Sequence, residues 1–454
     1  MPKAPQNASI LWFLLFILVS TAGYSLVGYH WKRTQAGELI LTFGGLFLMY
    51  ALVISQKWDK RQTQKWIWYA ISFRVLLLFS VPALSDDYFR FIWDGRLLSA
   101  GYNPYLYLPS EIITTSIAAH AHLNQVLFQG LNSPNYFTVY PPLNQWMFGL
   151  SAWMAGDSVL LNIVALRSFI FMAELGTIYL LTTFRFPKYK EKGMQNAVLI
   201  YALNPFVIIE LTGNLHFEAV TLFCVLLAVR WIDRPFRGDK YNVGSAGALA
   251  MGAAVKLLPL IFLPLIFKRL GFRQGLVYCV IVGLILLTLF APFLGHELFV
   301  NFGKSLDLYF QKFEFNASFY YLFRKVGYWI TGYNIIHLLG PLLSLVTLVC
   351  IAKITFQRRS LLEKMLLGLT VYFLCATTVH PWYITTLVAL GALTGRWYPV
   401  VWSALLPLTY VAYASQPYEE NLRIVALEYI LVIGCLVYEL FVKGIDWNAP
   451  TKDV

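Results

Sequence analysis

Charged side chains are scarce in this sequence, because only 13% of its 454 residues are Asp, Glu, Lys or Arg. Apolar residues make up 58%, and no polar stretch is long enough to form a soluble domain. The mean hydropathy of +0.62 indicates an integral membrane protein. The formal net charge of +12 comes from basic residues in short loops between apolar runs, as the positive-inside rule describes. Nucleic-acid binding is therefore not expected.

Cysteine is also rare, and we find no repeat of fixed period. The five cysteines lie in apolar runs without a CxxC spacing: Cys224, Cys279, Cys350, Cys375 and Cys435. This pattern predicts neither a disulfide framework nor a zinc site. The first apolar run has little preceding charge and no evident cleavage site, so we expect a retained helix rather than a signal peptide.

Apolar runs of roughly the length that crosses a bilayer, about twenty residues, recur along the chain. They cover 10–28, 39–55, 66–84, 159–183, 198–211, 219–232, 275–294, 335–356, 366–379, 384–393, 400–413 and 424–442. The basic stretch 57–65 predicts cytoplasmic termini and an external turn at Asp86. Further cytoplasmic loops are predicted at Lys188, Lys190 and Lys192, at Arg234, Arg237 and Lys240, and at Arg358, Arg359 and Arg396, with 416–421 outside.

We expect an all-α polytopic membrane protein that forms a single transmembrane domain over residues 1–454. It would have about twelve spanning helices and two external loops, 85–157 and 295–333. Segment 243–267 has basic residues on both flanks, contains Pro259 and Pro264, and carries Lys256 near its middle. A re-entrant pair of half-helices would explain these features, since irregular backbone at membrane depth is tolerated inside protein.

The most unusual stretch is 85–96, where three carboxylates and two guanidiniums follow an apolar run. Ionisable residues at membrane depth are costly, so such a cluster indicates a functional site rather than filler. In the predicted topology, polar residues from separate loops meet this stretch on one face. They are Asp86, Asp87, Arg90, Asp94, Arg96, Asn103, Tyr140, Asn214, His216, Glu218, Tyr320, Arg324, His380 and Tyr383.

Ordered motifs in this set resemble those of the GT-C superfamily of membrane glycosyltransferases. The motifs are Asp86-Asp87-x-x-Arg90-Phe91-x-Trp93-Asp94-Gly95-Arg96, Gly101-x-Asn103-Pro104-Tyr105, Tyr140-Pro141-Pro142-Leu143, Asn204-Pro205, Gly213-Asn214-x-His216-x-Glu218 and Lys256-Leu257-x-Pro259. Over residues 66–385 the chain is most similar to the bacterial polyprenyl-phosphate-dependent mannosyltransferase-like branch. It has a more distant likeness to the mannosyltransferase of GPI-anchor assembly.

The resemblance implies an inverting transfer of a hexose such as mannose from a polyprenyl-phosphate donor. The acceptor would be a glycan, a glycolipid or a protein, at the external (periplasmic) face of a bacterial cytoplasmic membrane. Asp86 or Asp87 would be the general base, with a preference for Asp86 because it is nearer the helix end. The other candidate site residues would bind substrate or phosphate: Arg90, Asp94, Arg96, Asn103, Tyr140, Asn214, His216, Glu218, Lys256, Arg324, His380 and Tyr383. A divalent cation, Mg²⁺ or Mn²⁺, on Asp86 and Asp87 stays open because this acidic pair is adjacent rather than spaced by one residue.

Structural roles are the alternatives for several of these residues. Asp94 and Arg96 could bridge within the loop, and His216 and Glu218 could cap a helix. His380 could be an interfacial side chain, and Lys256 could snorkel to the inner surface. For the whole chain, the alternative is a transporter or lipid flippase with a central site at a broken helix.

Overall fold

The computed structural model describes residues 6–184, 197–232, 242–311, 313–415 and 417–442, with the side chains of 6–11 and 306–311 excepted. Over these ranges the chain is all-helical, which confirms the predicted fold class, and they contain no β-strand beyond an isolated bridge between Phe315 and Thr378. The basic residues predicted to be cytoplasmic at 188–192 and 234–240 lie outside the described residues, as does Gln416.

The α-helices follow one another with short connections. They are Gln6–Tyr29, Ala36–Ile54, Lys60–Leu76, Asp87–Ser99, Pro109–Ile112, Ser116–His120, Gln125–Gly130, Pro142–Ala155, Val159–Thr183, Ala197–Ala202, Pro205–Val207, Glu218–Ile232, Val243–Val255, Leu263–Leu270, Phe272–Phe290, His296–Gln311, Phe319–Thr331, Ile336–Phe356, Leu361–Cys375, Thr385–Thr394, Tyr398–Leu405 and Leu422–Val437. Short 3₁₀ helices are Pro104–Leu106, Leu258–Phe262, Ala291–Phe293, Pro381–Ile384 and Leu406–Tyr413, and π-helical turns are Ile208–Gly213 and Tyr438–Val442.

The expected count of about twelve spans is not confirmed. Within the described ranges, six helices are long and apolar enough to cross a bilayer: Trp12–Tyr29, Ala36–Ile54, Val159–Thr183, Phe272–Phe293, Ile336–Phe356 and Leu422–Val442. The pair Pro205–Gly213 and Glu218–Ile232, bent by 113°, would make a seventh. The other predicted runs fold into shorter helices, because Pro205 interrupts 198–211 and the apolar helices near 384–413 are only 10 and 8 residues long.

Buried ion pairs and close glycine contacts hold the bundle together. Arg74 and Glu174 are both 0% exposed, with Arg74 Nε 2.8 Å from Glu174 Oε2. Arg74 Nη1 also donates to the Ala202 carbonyl at 2.7 Å, so three helices meet at this side chain. A Cβ added at Gly95 would lie 2.3 Å from the backbone carbonyl oxygen of Phe148. Helices Asp87–Ser99 and Pro142–Ala155 therefore pack backbone against backbone.

The two segments predicted as external loops are largely helical. Segment 85–157 contains buried helices Asp87–Ser99 and Pro142–Ala155. Segment 295–333 contains His296–Gln311 and Phe319–Thr331, and the second of these exposes large apolar side chains, with Trp329 at 81% and Ile330 at 78%. Such a helix with one apolar and one polar face is typical of the membrane interface.

Segment 243–270 is broken at Lys256, as its sequence predicts. Helix Val243–Val255 ends there because Lys256 adopts an extended backbone, with φ −149° and ψ 128°. Pro259 opens the following 3₁₀ turn and Pro264 opens helix Leu263–Leu270, both at positions where proline costs no helical hydrogen bond. The break places the Lys256 side chain at the junction of two helices.

Candidate active site

Asp86 lies at the start of helix Asp87–Ser99 and forms an ion pair with Arg33. Arg33 comes from the short connection between the first two helices, and each of the two side chains is 33% exposed. The Arg33 guanidinium also lies 5.0 Å from the ring centre of Tyr413. The Asp86 carboxylate is therefore engaged with a cation that the sequence motifs did not single out.

Asp87 is half-buried, as Asp86 is. Asn132 Nδ2 donates to Asp87 Oδ1 at 2.9 Å, and the described residues donate no hydrogen bond to Oδ2. Burial raises the pKa of Asp87 above its ordinary value, while His216 and the Asn132 hydrogen bond lower it and the charge of Glu218 raises it. Asp87 is thus a carboxylate whose proton affinity is increased, within electrostatic reach of His216 and Glu218.

Arg90 and Asp94 pair with each other one helical turn apart. Arg90 Nε lies 2.8 Å from Asp94 Oδ1, and Asp94 is 0% exposed. Arg90 Nη1 donates to the carbonyls of Tyr136, at 2.9 Å, and Ser133, at 3.3 Å. Gln145 Nε2 donates to the second oxygen of Asp94 at 3.2 Å. These contacts tie helix Asp87–Ser99 to the segment before Tyr140.

Arg96 does not pair with Asp94. It donates to two backbone carbonyls, that of His122 and that of Asp157, the latter at 2.8 Å. Burial lowers the pKa of Arg96, and the nearby Asp157 charge partly opposes this shift. Arg96 thus connects the two ends of segment 122–157. This agrees with the alternative that Arg96 bridges within the predicted loop rather than binding substrate.

Asn103 and Tyr140 lie on the flank of this helix. Asn103 Oδ1 accepts from the Tyr105 backbone N–H at 3.1 Å and caps a 3₁₀ turn. The Tyr105 hydroxyl donates to the Tyr140 carbonyl at 2.6 Å. The Tyr140 ring packs edge-on against Phe91 and Phe148, with ring centres 5.0 and 5.6 Å apart. Both residues therefore make packing and hydrogen-bond contacts within segment 85–157.

Asn214 follows a turn that Arg167 holds in place. Arg167 is 0% exposed and donates to the successive carbonyls at 212–213, at 2.7 and 2.8 Å, and to the Leu78 carbonyl at 2.7 Å. Asn214 Oδ1 accepts from the Leu84 backbone N–H at 3.3 Å. The turn before His216 is therefore bound directly to the chain that leads to Asp86.

Lys256 and Glu218 form an ion pair across two helices. The Lys256 ammonium also lies 3.5 Å from the ring centre of Tyr383, a cation–π geometry. The Lys256 side chain is 30% exposed and that of Glu218 is 10% exposed. The helix break therefore directs Lys256 toward Glu218 and Tyr383.

Two histidines stack on one tryptophan. The ring centres of His216 and Trp382 are 3.8 Å apart at 17°, and those of His380 and Trp382 are 4.6 Å apart at 3°. Phe315 extends the stack beyond His380, at 5.4 Å. Burial, followed by the charges of Lys256 and His216, lowers the pKa of His380 to about 3. His380 is therefore neutral at physiological pH.

Glu210 is a second residue that the motifs did not single out. It is 0% exposed, accepts a hydrogen bond from the Tyr410 hydroxyl, and its Oε2 lies 3.4 Å from His216 Nδ1. The sequence signal was a lone carboxylate inside the apolar run 198–211, which by itself indicates a functional position. Arg33 lies outside the motifs, in the short connection between the first two helices, so they gave no signal for it.

Arg324 lies in a neighbouring group of side chains. It forms an ion pair with Glu314 and lies 4.4 Å from the Tyr321 ring centre. Tyr320 is buried and its hydroxyl contacts Glu314 and Asn334. Because Glu314 precedes Phe315, this group borders the stacked rings, but the Arg324 charge is directed to Glu314.

The structure brings some of the predicted residues together and leaves others in supporting positions. We call six residues the central cluster: Asp87, His216, Glu218, Lys256, His380 and Tyr383. Ion-pair and ring contacts, with Trp382 between the two histidines, link the last five, and Asp87 interacts electrostatically with His216 and Glu218. Asp86 precedes Asp87 in the chain and is paired with Arg33. The others make the structural contacts described above: Arg90, Asp94, Arg96, Asn103, Tyr140, Asn214 and Arg324.

A divalent cation on Asp86 and Asp87 stays a prediction. In the part of the chain that the structure describes, no three His, Cys, Asp or Glu side chains are grouped as they would be around a metal. A cation there would take its protein oxygens from these two carboxylates, which in this structure contact Arg33 and Asn132 instead.

Comparison with known proteins identifies the family of this chain. The family described as "Alpha-(1->6)-mannopyranosyltransferase, N-terminal domain" matches residues 17–270. The chain belongs to this family. It is also 26% identical over 198 residues to Alpha-(1->6)-mannopyranosyltransferase A of Corynebacterium glutamicum. That match covers 42% of this chain and 36% of the relative, so the chain matches about a third of the relative's length. No solved structure matches.

The family match confirms the resemblance to a membrane mannosyltransferase that the ordered motifs indicated. It spans the acidic stretch at Asp86, the turn at His216 and the helix break at Lys256. The stacked rings of His380 and Trp382 lie beyond it. Four members of the central cluster therefore lie inside the family's domain, and the rest of the chain contributes His380 and Tyr383.

Proposed function

We propose that this protein is a membrane glycosyltransferase that moves a hexose, mannose in the first instance, from a polyprenyl-phosphate donor to an acceptor hydroxyl. Membership of a family described by an alpha-(1->6)-mannopyranosyltransferase domain supports the sugar and the reaction. The apolar helices support an integral, multi-pass protein that meets a lipid-linked donor within the bilayer. The acceptor would be a glycan, a glycolipid or a protein.

The observation that carries the proposal is Asp87 within electrostatic reach of His216 and Glu218, with Lys256 paired to Glu218. A transfer of this kind needs a base for the hydroxyl proton and positive charge or donors for the departing phosphate. Burial raises the proton affinity of Asp87, which suits a base, and Lys256 supplies a cation.

The step balances without a redox partner. The acceptor oxygen bonds to the anomeric carbon as its proton passes to Asp87. The bond from that carbon to the phosphate oxygen breaks, and its electron pair leaves with the polyprenyl phosphate. A single displacement inverts the anomeric carbon, so an alpha product requires a beta-linked donor.

Asp87 suits the role of base better than Asp86. The Asp86 carboxylate is in an ion pair with Arg33, whereas Asp87 receives a single side-chain hydrogen bond from the described residues. The preference for Asp86 drawn from the sequence is therefore replaced, in this proposal, by one for Asp87. Asp86 and Arg33 would hold the start of the helix in position.

A transporter or flippase is the second candidate, and the helix breaks at Lys256 and at 204–205 are what favour it. The family match favours the transferase, because the matched description names a transfer of mannose. The external, periplasmic position of the site is a further part of the proposal, based on the positive-inside argument.

The test is transfer by purified protein in lipid nanodiscs. Donors would be polyprenyl-phosphate mannose, polyprenyl-phosphate glucose and GDP-mannose, each with and without chelator, with a mannose-containing acceptor. We expect transfer from polyprenyl-phosphate mannose and an alpha linkage in the product by NMR. Transfer from GDP-mannose alone would contradict the donor. Movement of the lipid-linked sugar across liposomes without any transfer would favour the flippase.

A further inference from the structure

Glu210 is a buried carboxylate to which the transfer reaction as described above gives no role. Its side chain is 0% exposed, in the π-helical turn Ile208–Gly213. A carboxylate removed from water is costly unless it is paired and hydrogen-bonded. Among the residues that the structure describes, His216 is the group able to carry positive charge within 4 Å of Glu210. His216 is therefore the described side chain that can balance the negative charge of Glu210.

The hydrogen bonds around this pair place one hydrogen on His216 Nδ1. His216 Nδ1 lies 2.8 Å from the backbone carbonyl oxygen of Glu210, which can only accept, so Nδ1 carries a hydrogen. The Tyr410 hydroxyl donates to Glu210 Oε1. An ionised pair of carboxylate and imidazolium satisfies both contacts, with Glu210 Oε2 3.4 Å from Nδ1. A neutral Glu210 would instead hold a carboxyl proton without an acceptor in the described part of the chain.

In the ionised pair, the N–H group at His216 Nε2 is a buried donor without an acceptor among the described residues. The ring cannot turn freely, because it stacks on Trp382 at 3.8 Å while Nδ1 is held by Glu210. Buried polar atoms normally have a partner, so His216 Nε2 is available to an atom of a bound ligand.

The charges around His216 indicate the kind of ligand. Asp87 interacts electrostatically with His216, so the imidazole lies beside the proposed base. His380, which also faces it across Trp382, is neutral, since burial and the charges of Lys256 and His216 lower its pKa to about 3. Lys256 is drawn to Glu218. His216 Nε2 is a buried atom of the central cluster with no partner among the described residues, and the stacked ring fixes its direction.

We propose that Glu210 is a positioning residue that holds His216 protonated and oriented, so that Nε2–H donates to the phosphate oxygen leaving the anomeric carbon. This inference rests on the proposed polyprenyl-phosphate donor. His216 transfers no proton: as the bond from the anomeric carbon to oxygen breaks, the electron pair stays on the phosphate, and the Nε2–H hydrogen bond strengthens as negative charge builds there. Tyr410 fixes the other oxygen of Glu210.

A double-mutant cycle tests whether Glu210 acts through His216. Glu210→Gln keeps the volume and an acceptor for Tyr410 but removes the charge. We expect E210Q and H216Q each to lower kcat about 10- to 100-fold, the range for losing a charge-assisted hydrogen bond, with the acceptor KM unchanged. The double variant should be no slower than H216Q. Losses that multiply in the double variant would overturn the proposal.

The second measurement is the Kd of polyprenyl monophosphate, which is the leaving group of the proposed reaction. Its values for wild type and variants distinguish failure of this inference from failure of the proposed function. We expect E210Q to bind polyprenyl monophosphate about tenfold more weakly than wild type. The matched control is Glu428→Gln, which removes another buried carboxylate, hydrogen-bonded to Trp402 and Asn316 outside the central cluster. E428Q should bind like wild type.

The binding results distinguish a wrong donor from a wrong role for Glu210. If wild type does not bind polyprenyl monophosphate, the proposed donor is wrong and the inference is overturned with it. If wild type binds it and E210Q binds equally well, the donor stands and the inference alone is overturned. Should E210Q not fold, Tyr410→Phe tests the same contact, with an expected weakening of about threefold, and unchanged binding by Y410F would overturn the inference.

Discussion

Replacing each of two adjacent aspartates by asparagine should have very different effects on turnover. Asp87→Asn keeps the side-chain shape and an oxygen for the Asn132 hydrogen bond, which is 2.9 Å long in the wild type. It removes the proposed base, so we expect kcat to fall about 10²- to 10⁴-fold. Asp86→Asn breaks the ion pair with Arg33.

The structure sets an upper limit on the effect at Asp86. Both partners of its ion pair are 33% exposed, and exposed pairs of this kind contribute at most about 1 kcal/mol. Even if that whole contribution served catalysis, D86N would lose only about fivefold in rate. Arg33→Gln breaks the same pair from the other side, so it should match D86N.

The assay is the initial rate of labelled mannose transfer in nanodiscs, combined with thermal unfolding to show that each variant is folded. A D87N protein that keeps more than a tenth of wild-type turnover, beside an inactive D86N, would reverse the assignment of the base. Equal and large losses in D86N and R33Q would show instead that the ion pair controls the geometry of the site.

Three further outcomes follow from contacts described above. Because the pKa of Asp87 is raised, it stays protonated, and unable to act as a base, to a higher pH than an ordinary aspartate, so turnover should rise with pH. Asn132→Ala removes a hydrogen bond that lowers this pKa, so the rise in a pH–rate profile should move to higher pH; an unshifted profile would contradict it. Arg74→Met leaves Glu174 buried without its cation and should cost about 3–5 kcal/mol, seen as a lower unfolding temperature, while a double variant with both replaced by Met should recover part of it. Gly95→Ala places a methyl against the backbone of the neighbouring helix and should cost about 1–3 kcal/mol, whereas Gly44→Ala, with open space around it, should be neutral by the same measurement.

Local features of the site were predictable from the sequence because they depend on nearby residues. The break at Lys256 follows from two prolines downstream and a charged side chain in an apolar run. The family match at 17–270 likewise agrees with motifs read in order along the chain.

Pairings between distant segments could not be predicted in the same way. Glu210 and Tyr410 are 200 residues apart, and nothing local to either residue indicates the other. The Arg33–Asp86 pair has the same origin, since it depends on how the first helices pack. Segment 295–333, predicted as a loop, is largely helical because its apolar residues recur at helical spacing, which places side chains such as Trp329 on one face.

Arg167 matters for anyone who would build chimeras from this family. Its guanidinium donates to the Leu78 carbonyl and to the carbonyls of Thr212 and Gly213. The chain leading to Asp87 and the turn leading to His216 are therefore set at a fixed spacing by one side chain from a third helix. An exchange of segments between relatives should therefore keep Arg167 together with residue 78 and residues 212–213, because these hydrogen bonds set the spacing of the segments that carry Asp87 and His216.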